Sequence, residues 1–231
     1  MRKKSFVKKM FTEIAGEYDR LNRIISWNLD LKWRKKAVKN LRKHNFVLDI
    51  CSGTGDMAMI LSRRNPVPRI IVLADLSLRM LKLAKDKLGE KSNQTQFLFV
   101  VADGENLPFK DNTYDAVIQG FALRNIENMS AFLGELNRIS ISPSEMVFLE
   151  IAHPENPIVG KLFYLYFYKF VPFYTKFLTG KDYAYRYLPI SLRVFHKQKD
   201  FVKILNNAGF EDVWYQNILT GIAAIYYIHK S

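Results

Sequence analysis

Residues Phe46 to Asp56 read F-V-L-D-I-C-S-G-T-G-D, and the rest of the chain is organised outward from them. Phe46–Cys51 is an apolar run broken by one acid, Asp49, and it stops at Ser52-Gly53-Thr54-Gly55. A buried strand that feeds a glycine-rich turn and then a helix, here Asp56 to Arg64, is the opening of a nucleotide-binding α/β fold. The glycines let the backbone turn tightly. They also let a ligand approach N–H groups that the first turn of the helix leaves unpaired. Asp49 falls near the ligand-facing end of the strand, where a carboxylate meets a cationic or hydroxyl-rich ligand. The turn marks a cofactor site and leaves the cofactor open.

Downstream, strands and helices alternate. The second strand is Arg69–Asp75 and the third is Gln96–Ala102, ending in Asp103-Gly104. The fourth is Tyr114–Gly120 and the fifth Met146–Ile151. Helices cover Leu76–Leu88, with Ser77 as its N-cap, and Asn128–Ile141. Continuous apolar strands separated by helices predict a parallel sheet covered on both faces, with ligands at the strands' C-terminal ends. Asp49, Asp75 and Asp103 converge there with the glycine turn. The chain closes with a helix over Gln198–Ala208, Gly209 as its C′ residue, and strands Asp212–Leu219 and Ile222–His229 joined by Thr220-Gly221. The expectation is a doubly wound, Rossmann-like α/β fold. Its seven-stranded sheet is mostly parallel and ends in an antiparallel hairpin.

The 231 residues read as a single domain in four parts. Residues 1–45 form a helical cap, 46–153 a cofactor-binding core, 154–200 an aromatic-rich helical insertion, and 201–231 the closing helix and hairpin. Cys51 is the only cysteine, so no internal disulfide forms and a reducing cytoplasm is the expected setting. The N-terminus is basic without an apolar run behind it, and no stretch of about 18 apolar residues exists to span a bilayer.

The net charge is +13, from 35 Lys and Arg against 22 Asp and Glu, which favours anionic partners. Lys32–Lys43 alone holds seven basic residues in twelve. This is a solvated face, a lipid-binding face or a grip on nucleic acid. Phe6, Met10, Ile14 and Tyr18 recur at four-residue spacing, as on a cap helix. Tyr18–Arg34 mixes aromatics with polar groups more richly than simple packing needs. Phe163–Phe177 has nine aromatics in fifteen residues, with Lys161, Lys169 and Lys176 near one helical face. Pro172 is expected to kink or end that helix. The segment reads as the wall of an apolar substrate pocket that touches anionic lipid, or as a packing helix.

Gly53 to Ala58 formally fits G-x-G-x-x-G/A, and Asp75 lies twenty residues after Gly55, so a nicotinamide dinucleotide competes for the site. Asp103, placed to meet an adenine amine, and the terminal hairpin instead resemble the class I S-adenosylmethionine-dependent methyltransferases. The chain is further similar to the ubiquinone/menaquinone biosynthesis C-methyltransferases (UbiE-type). Those motifs are M-F-x-x-I-A-x-x-Y-D-x-x-N-x-x-x-S with W-R (Met10 to Arg34), L-P-F (Leu107–Phe109) and F-A-L-R-N (Phe121–Asn125). They continue with L-E-I-A-H-P-E-N-P (Leu149–Pro157), Y-R-Y-L-P-x-S-x-R-x-F (Tyr185–Phe195) and T-G-I-A-A from Thr220.

The resemblance implies carbon methylation of a polyprenylated quinol precursor with S-adenosylmethionine, giving S-adenosylhomocysteine; no His/Cys/Asp cluster has metal-ligand spacing, so no metal is expected. It places cofactor contacts on Thr54, Asp75, Asp103, Gly104 and Gly120, beside Gly53, Gly55 and Asp49 of the turn. Arg124 is the candidate to stabilise the phenolate or to orient a water that deprotonates it. Tyr18, Tyr185 and Arg186 are pocket candidates. Arg124 also reads as an ion-pair partner of Glu127 or Glu150. The chain departs from the family at Gly120, usually serine, at Asp30, histidine in one variant, and at Ser142–Glu145, where the family has K-P-G-G. Methylation of another small molecule at oxygen, or of RNA, is the alternative. RNA is disfavoured because Q-G-F-A-L-R-N lacks the N-P-P-Y type motif of base-amine methyltransferases. The pattern sets no oligomeric state.

Overall fold

The computed structural model describes residues 3–42, 44–89, 91–92, 94–173 and 182–231, with the backbone alone at 91–92 and 182–186. Its centre is an eight-stranded sheet in the order β3-β4-β2-β1-β5-β6-β8-β7. The strands are β1 (Phe46–Ile50), β2 (Ile70–Asp75), β3 (Lys91–Ser92), β4 (Thr95–Val101), β5 (Tyr114–Gly120), β6 (Ser140–Ile151), β7 (Asp212–Ile218) and β8 (Ala223–Lys230). The seven expected strands are present, and β3 adds a two-residue edge antiparallel to β4. β1 pairs in parallel with both β2 and β5, so the chain reverses its winding direction at β1. Ligands in doubly wound sheets bind at that switch. β8 runs antiparallel between β6 and β7.

The continuous apolar runs are buried on both faces, as parallel strands require. In β1, Leu48 and Ile50 face one core with Phe132, Phe148 and Phe201. Val47 faces the other core, with Met57, Ile71 and Ile118, as the two-residue side-chain period dictates.

Three helices precede the sheet: α1 (Lys3–Ile14), α2 (Tyr18–Ser26) and α3 (Leu29–Lys39). Trp27 and Asn28 both take left-handed backbone angles between α2 and α3, which turns the chain sharply without a glycine. α4 (Asp56–Leu61) follows β1, α5 (Leu78–Leu88) follows β2 and α6 (Met129–Ile139) follows β5. Ser77 caps α5 by accepting from the Met80 N–H at 3.4 Å. α7 (Pro157–Leu165) starts at Asn156, whose side chain accepts from the N–H groups of Ile158 and Val159. α8 (Asp182–Val194) and α9 (Gln198–Asn207) follow, and Gly209 at φ +91° ends α9 as expected.

Two local expectations change. β6 begins at Ser140, six residues before the expected Met146, and carries the Ser142–Glu145 segment within it. The break in the aromatic helix falls ahead of Pro172: α7 widens into a π-turn over Tyr166–Phe170, Val171–Phe173 are helical, and residues 174–181 lie outside the described ones. Among the described residues, no helix is long and apolar enough to cross a membrane.

Candidate functional site

The turn after β1 carries positive φ at three alternate positions, +53° at Cys51, +55° at Gly53 and +79° at Gly55. The two glycines serve different ends. A Cβ on Gly55 would fall 2.9 Å from both Leu73 and Leu88, so this position lets α5 and β2 pack close. A Cβ on Gly53 would meet only Tyr18, at 3.9 Å, because this glycine faces a cavity. Asp75, at the end of β2, braces the turn: it accepts from the Gly53 N–H at 2.9 Å and from the Ser77 N–H at 2.8 Å. Burial raises the Asp75 pKa above the usual carboxylate range. Burial likewise pushes the Cys51 thiol well up, which keeps it neutral and a poor nucleophile.

The cavity above the turn encloses about 760 Å³ of non-atom space, with open solvent at its mouth included. Gly53, Asp75, Asp103, Gly104 and Gly120 all line it. Its floor is therefore the C-terminal edge of β1, β2, β4 and β5, with glycines wherever backbone comes close. The first turn of α1 closes one side. Lys4 reaches Asp103 at 2.7 Å and Glu105 at 2.8 Å, while Lys3 donates to the carbonyls of Arg124 and Ile126.

Asp49, Thr54 and Gly55 do not line this cavity. Asp49 is one residue short of the end of β1 and fully buried, and it accepts from the Ala58 N–H at 3.0 Å. It anchors the first turn of α4, and burial pushes its pKa up to about 7. Thr54 turns away from the cavity, donating to Asp19 at 2.5 Å and accepting from Lys87 at 3.2 Å. Behind it lies a charge network that the sequence reading did not single out. Lys87 bridges Asp19 and Asp56 at 2.5 and 3.0 Å, Arg23 joins Asp56 to Asp30, and the Arg34 guanidinium lies 4.9 Å above the Phe121 ring. The excess of polar groups in Tyr18–Arg34 was its signal in the sequence. At Gly120 a Cβ would come within 2.6 Å of the Arg34 guanidinium and 3.1 Å of Met57. The room that the family's serine side chain needs is thus taken by Arg34. Glu145, in the segment that replaces K-P-G-G, accepts from the Arg42 backbone at 3.0 Å and meets His44 at 2.7 Å, tying α3's exit to β6.

A second cavity, of about 750 Å³, shares Phe11, Tyr18, Phe121 and Asn125 with the first. Phe121 is a non-glycine residue held at φ +66°, a strained geometry of the kind that clusters at functional sites. Tyr18 stands in the shared wall, and burial raises its pKa. Arg124 lines this second cavity and is buried in an ion pair with Glu150 of β6, one of the two partners expected for it. Its Nε has no hydrogen-bond partner, and the same holds for Asn125 Oδ1 and Tyr187 Oη in the same wall. Tyr187, not singled out in the sequence, lines the cavity; the side chains of Tyr185 and Arg186 lie outside the described residues. Lys161 and Lys169 are exposed on α7 and its π-turn, and Lys176 lies outside the described residues.

The chain matches the ubiE/COQ5 methyltransferase family over residues 1–230. It belongs to that family. It is 31% identical over 222 residues to the demethylmenaquinone methyltransferase of Porphyromonas gingivalis, covering 95% of this chain and 91% of the relative. It is 34% identical to the ubiquinone/menaquinone biosynthesis C-methyltransferase UbiE of Geobacter sulfurreducens, again over 95% of this chain and 86% of the relative. A SAM-dependent methyltransferase from Aquifex aeolicus superposes with a TM-score of 0.65 at 16% identity, covering 95% of this chain and 98% of that one. That likeness speaks to fold alone.

The cavity of this ubiE/COQ5 family member suits the family's cofactor. S-adenosylmethionine presents ribose hydroxyls, an adenine amine and two cationic centres. The first cavity answers with three carboxylates, Asp75, Asp103 and Glu105, beside Gly53, Gly104 and Gly120. A methyltransferase of this family needs an acceptor site beside that cavity, and the second cavity adjoins it across Tyr18 and Phe121.

Proposed function

We infer that this methyltransferase alkylates a ring carbon of a polyprenylated quinol precursor in menaquinone or ubiquinone biosynthesis. The observation that carries the reading is the wall of the second cavity. Four unpartnered polar atoms, on Asn22, Arg124, Asn125 and Tyr187, sit among Met10, Ile14, Leu21, Ile25 and Leu188. Buried polar atoms are rarely left without partners. A ligand with hydroxyls on one part and hydrocarbon on the rest would satisfy that wall.

S-adenosylmethionine, when bound, supplies a methyl group already activated by its sulfonium. Asp75 would hold the ribose hydroxyls and Asp103 the adenine amine, with Gly53, Gly104 and Gly120 letting the ligand lie against backbone. The protein's remaining tasks are alignment, exclusion of water and stabilisation of negative charge on the ring oxygen. Tyr18 and Phe121 line both cavities and would flank the point where the two ligands meet. The free Nε–H of Arg124 is the donor for a quinol oxygen or for the water that takes its proton. Glu150 holds the guanidinium in place, and loss of the hydroxyl proton makes the adjacent ring carbon nucleophilic. On the outer side of α7, exposed Ile158, Leu162 and Leu165 lie near exposed Lys161 and Lys169. That mixture suits peripheral contact with an anionic bilayer. Lys161→Glu with Lys169→Glu should then reduce sedimentation with anionic vesicles, and unchanged sedimentation would remove the membrane from the account.

The test of substrate class is methyl transfer from labelled S-adenosylmethionine to a demethylmenaquinol, a demethoxyquinol, a catechol and bulk tRNA. Label should enter a quinol. Label in catechol oxygen or in tRNA, with none in the quinols, would overturn the reading.

A further inference from the structure

The second cavity does not end at Arg124. It shares Ile25, Ser26, Trp33 and Ile151 with a third cavity, whose floor is Phe163 and Phe167. The third in turn shares Ile25, Trp27 and Tyr166 with a fourth, which opens at Phe170 and Phe173 on the surface. Set in series by these shared side chains, the three make a candidate track whose described walls, beyond Arg124 and Asn125, are mainly apolar.

Two residues sit across the track where it nears the surface. The Tyr166 hydroxyl donates to the Ile25 carbonyl at 2.9 Å and accepts from the Trp27 indole N–H at 3.4 Å. This bond bridges from the end of α2 to the π-turn that follows α7. Trp27 is an unlikely residue for its place by folding criteria alone. Its backbone has φ +55° and ψ +40°, a region that asparagine and glycine occupy more readily. Its side chain is 77% exposed, so burial does not compensate for that backbone. An indole held over a groove by one hydrogen bond is suited to cover an apolar ligand and to swing aside for it.

We propose that this track receives the isoprenoid tail of the substrate, with Trp27 and Tyr166 as the gate under which the tail leaves the protein. The assignment rests on the reading that the quinol ring occupies the Arg124 cavity. It goes further by naming the tail's path and the residues that set preference for tail length. The track runs inward from the surface to the wall that holds the polar groups, as a chain attached to a polar ring requires. A bilayer contact needs only an outward apolar face.

The test uses the full-length protein and its Trp27→Asn variant, a replacement suited to left-handed backbone. Two demethylquinols with the same ring are compared, one with a single isoprene unit and one with four. The ratio of kcat/KM for the long-tailed to the short-tailed substrate should fall by about tenfold in the variant. An unchanged ratio would overturn the track. A second readout is independent of turnover: farnesol, a tail without a ring, is titrated into the protein in vesicle-free buffer with S-adenosylhomocysteine present. Farnesol should bind the parent protein and bind Trp27→Asn about tenfold more weakly. Should no quinol be methylated while farnesol binding still depends on Trp27, the track stands and the substrate reading fails. Farnesol binding that is absent, or equal in both proteins, overturns the track. So does a Trp27 effect confined to vesicle binding, which would make the indole a membrane contact.

Discussion

Lys4 and Asp103 form an ion pair 2.7 Å long at the rim of the cavity above the glycine turn. The pair fastens the first turn of α1 to the loop after β4, and Glu105 shares the lysine at 2.8 Å. The helix that closes the cavity is thereby held by the carboxylate proposed to meet the adenine.

A latch of this kind governs rates more than affinity. Both side chains are about one-third exposed, so the pair contributes at most about 1 kcal/mol and weakens in salt. Lys4→Gln should speed S-adenosylhomocysteine release by roughly two- to fivefold at low ionic strength, the difference fading near 1 M salt. Stopped-flow release rates that match in the two proteins at low salt would show that α1 does not control access.

Asp75 has two duties, and its removal should show both. Charge-assisted bonds to the ribose hydroxyls are worth about 1.5–3 kcal/mol, so Asp75→Ala should weaken S-adenosylhomocysteine binding roughly 10–150-fold by calorimetry. The Gly53 and Ser77 N–H groups would also lose their acceptor, which should lower stability without ligand by about 1–3 kcal/mol in a urea melt. Unchanged affinity would mean that the carboxylate only braces the turn.

Asp49 makes stability depend on pH in an unusual direction. Burial is the main cause of its raised pKa of about 7; Asp56 and Asp75 add to it, while the Ala58 N–H and the Arg34 charge oppose it. The folded chain holds this proton where the unfolded chain has released it, so raising the pH from about 4 to about 7 removes stability, and no more is lost above that. The effect is at most about 4 kcal/mol. Asp49→Asn should flatten this part of the stability curve relative to the parent. Parallel curves for the two proteins over that range would place Asp49 in a charged state throughout.

The parts of this account that the sequence shows are those made by neighbours in the chain. β5 has the expected bounds, Tyr114–Gly120, and β1 ends one residue early, because buried parallel strands declare themselves as unbroken apolar runs. Asp75, Asp103, Gly104 and Gly120 line one cavity, as strand position suggested, because strand ends gather on one edge of the sheet. In the first half of β6, Ser140 and Ile141 read as a helix end and S-P-S-E as a turn; the segment is drawn into the sheet by pairing with distant residues such as Lys230 and His229. Lys4 and Lys87 were invisible for the same reason, since their partners lie 99 and 68 residues away. Asp49 was assigned by its position in the strand. Its side chain instead turned to the helix N-terminus, the nearer source of unpaired N–H groups. Nor could the spacing in Y-R-Y show that Tyr187 lines the cavity, because that depends on how α8 docks.

Gly120 and Arg34 should behave as a coupled pair. A serine at 120 would press on the Arg34 guanidinium and on Met57. Gly120→Ser should therefore destabilise the protein by about 1–3 kcal/mol, as overpacking does. Shortening the neighbour with Arg34→Ala should remove at least about 0.5 kcal/mol of that cost in a double-mutant cycle. Additive losses from the two changes would show that the space at Gly120 is not filled by Arg34.

The central claim is that the two cavities bring an activated methyl group to a ring carbon. It is tested most directly by single-turnover reaction of the enzyme with S-[methyl-13C]adenosylmethionine and a demethylmenaquinol, the product being read by NMR. The account predicts one new resonance in the range of a methyl on an aromatic carbon, at a rate that falls at least about tenfold in Arg124→Met. A resonance in the methoxy range, or no labelled quinol at all from folded enzyme that binds S-adenosylhomocysteine, would contradict it.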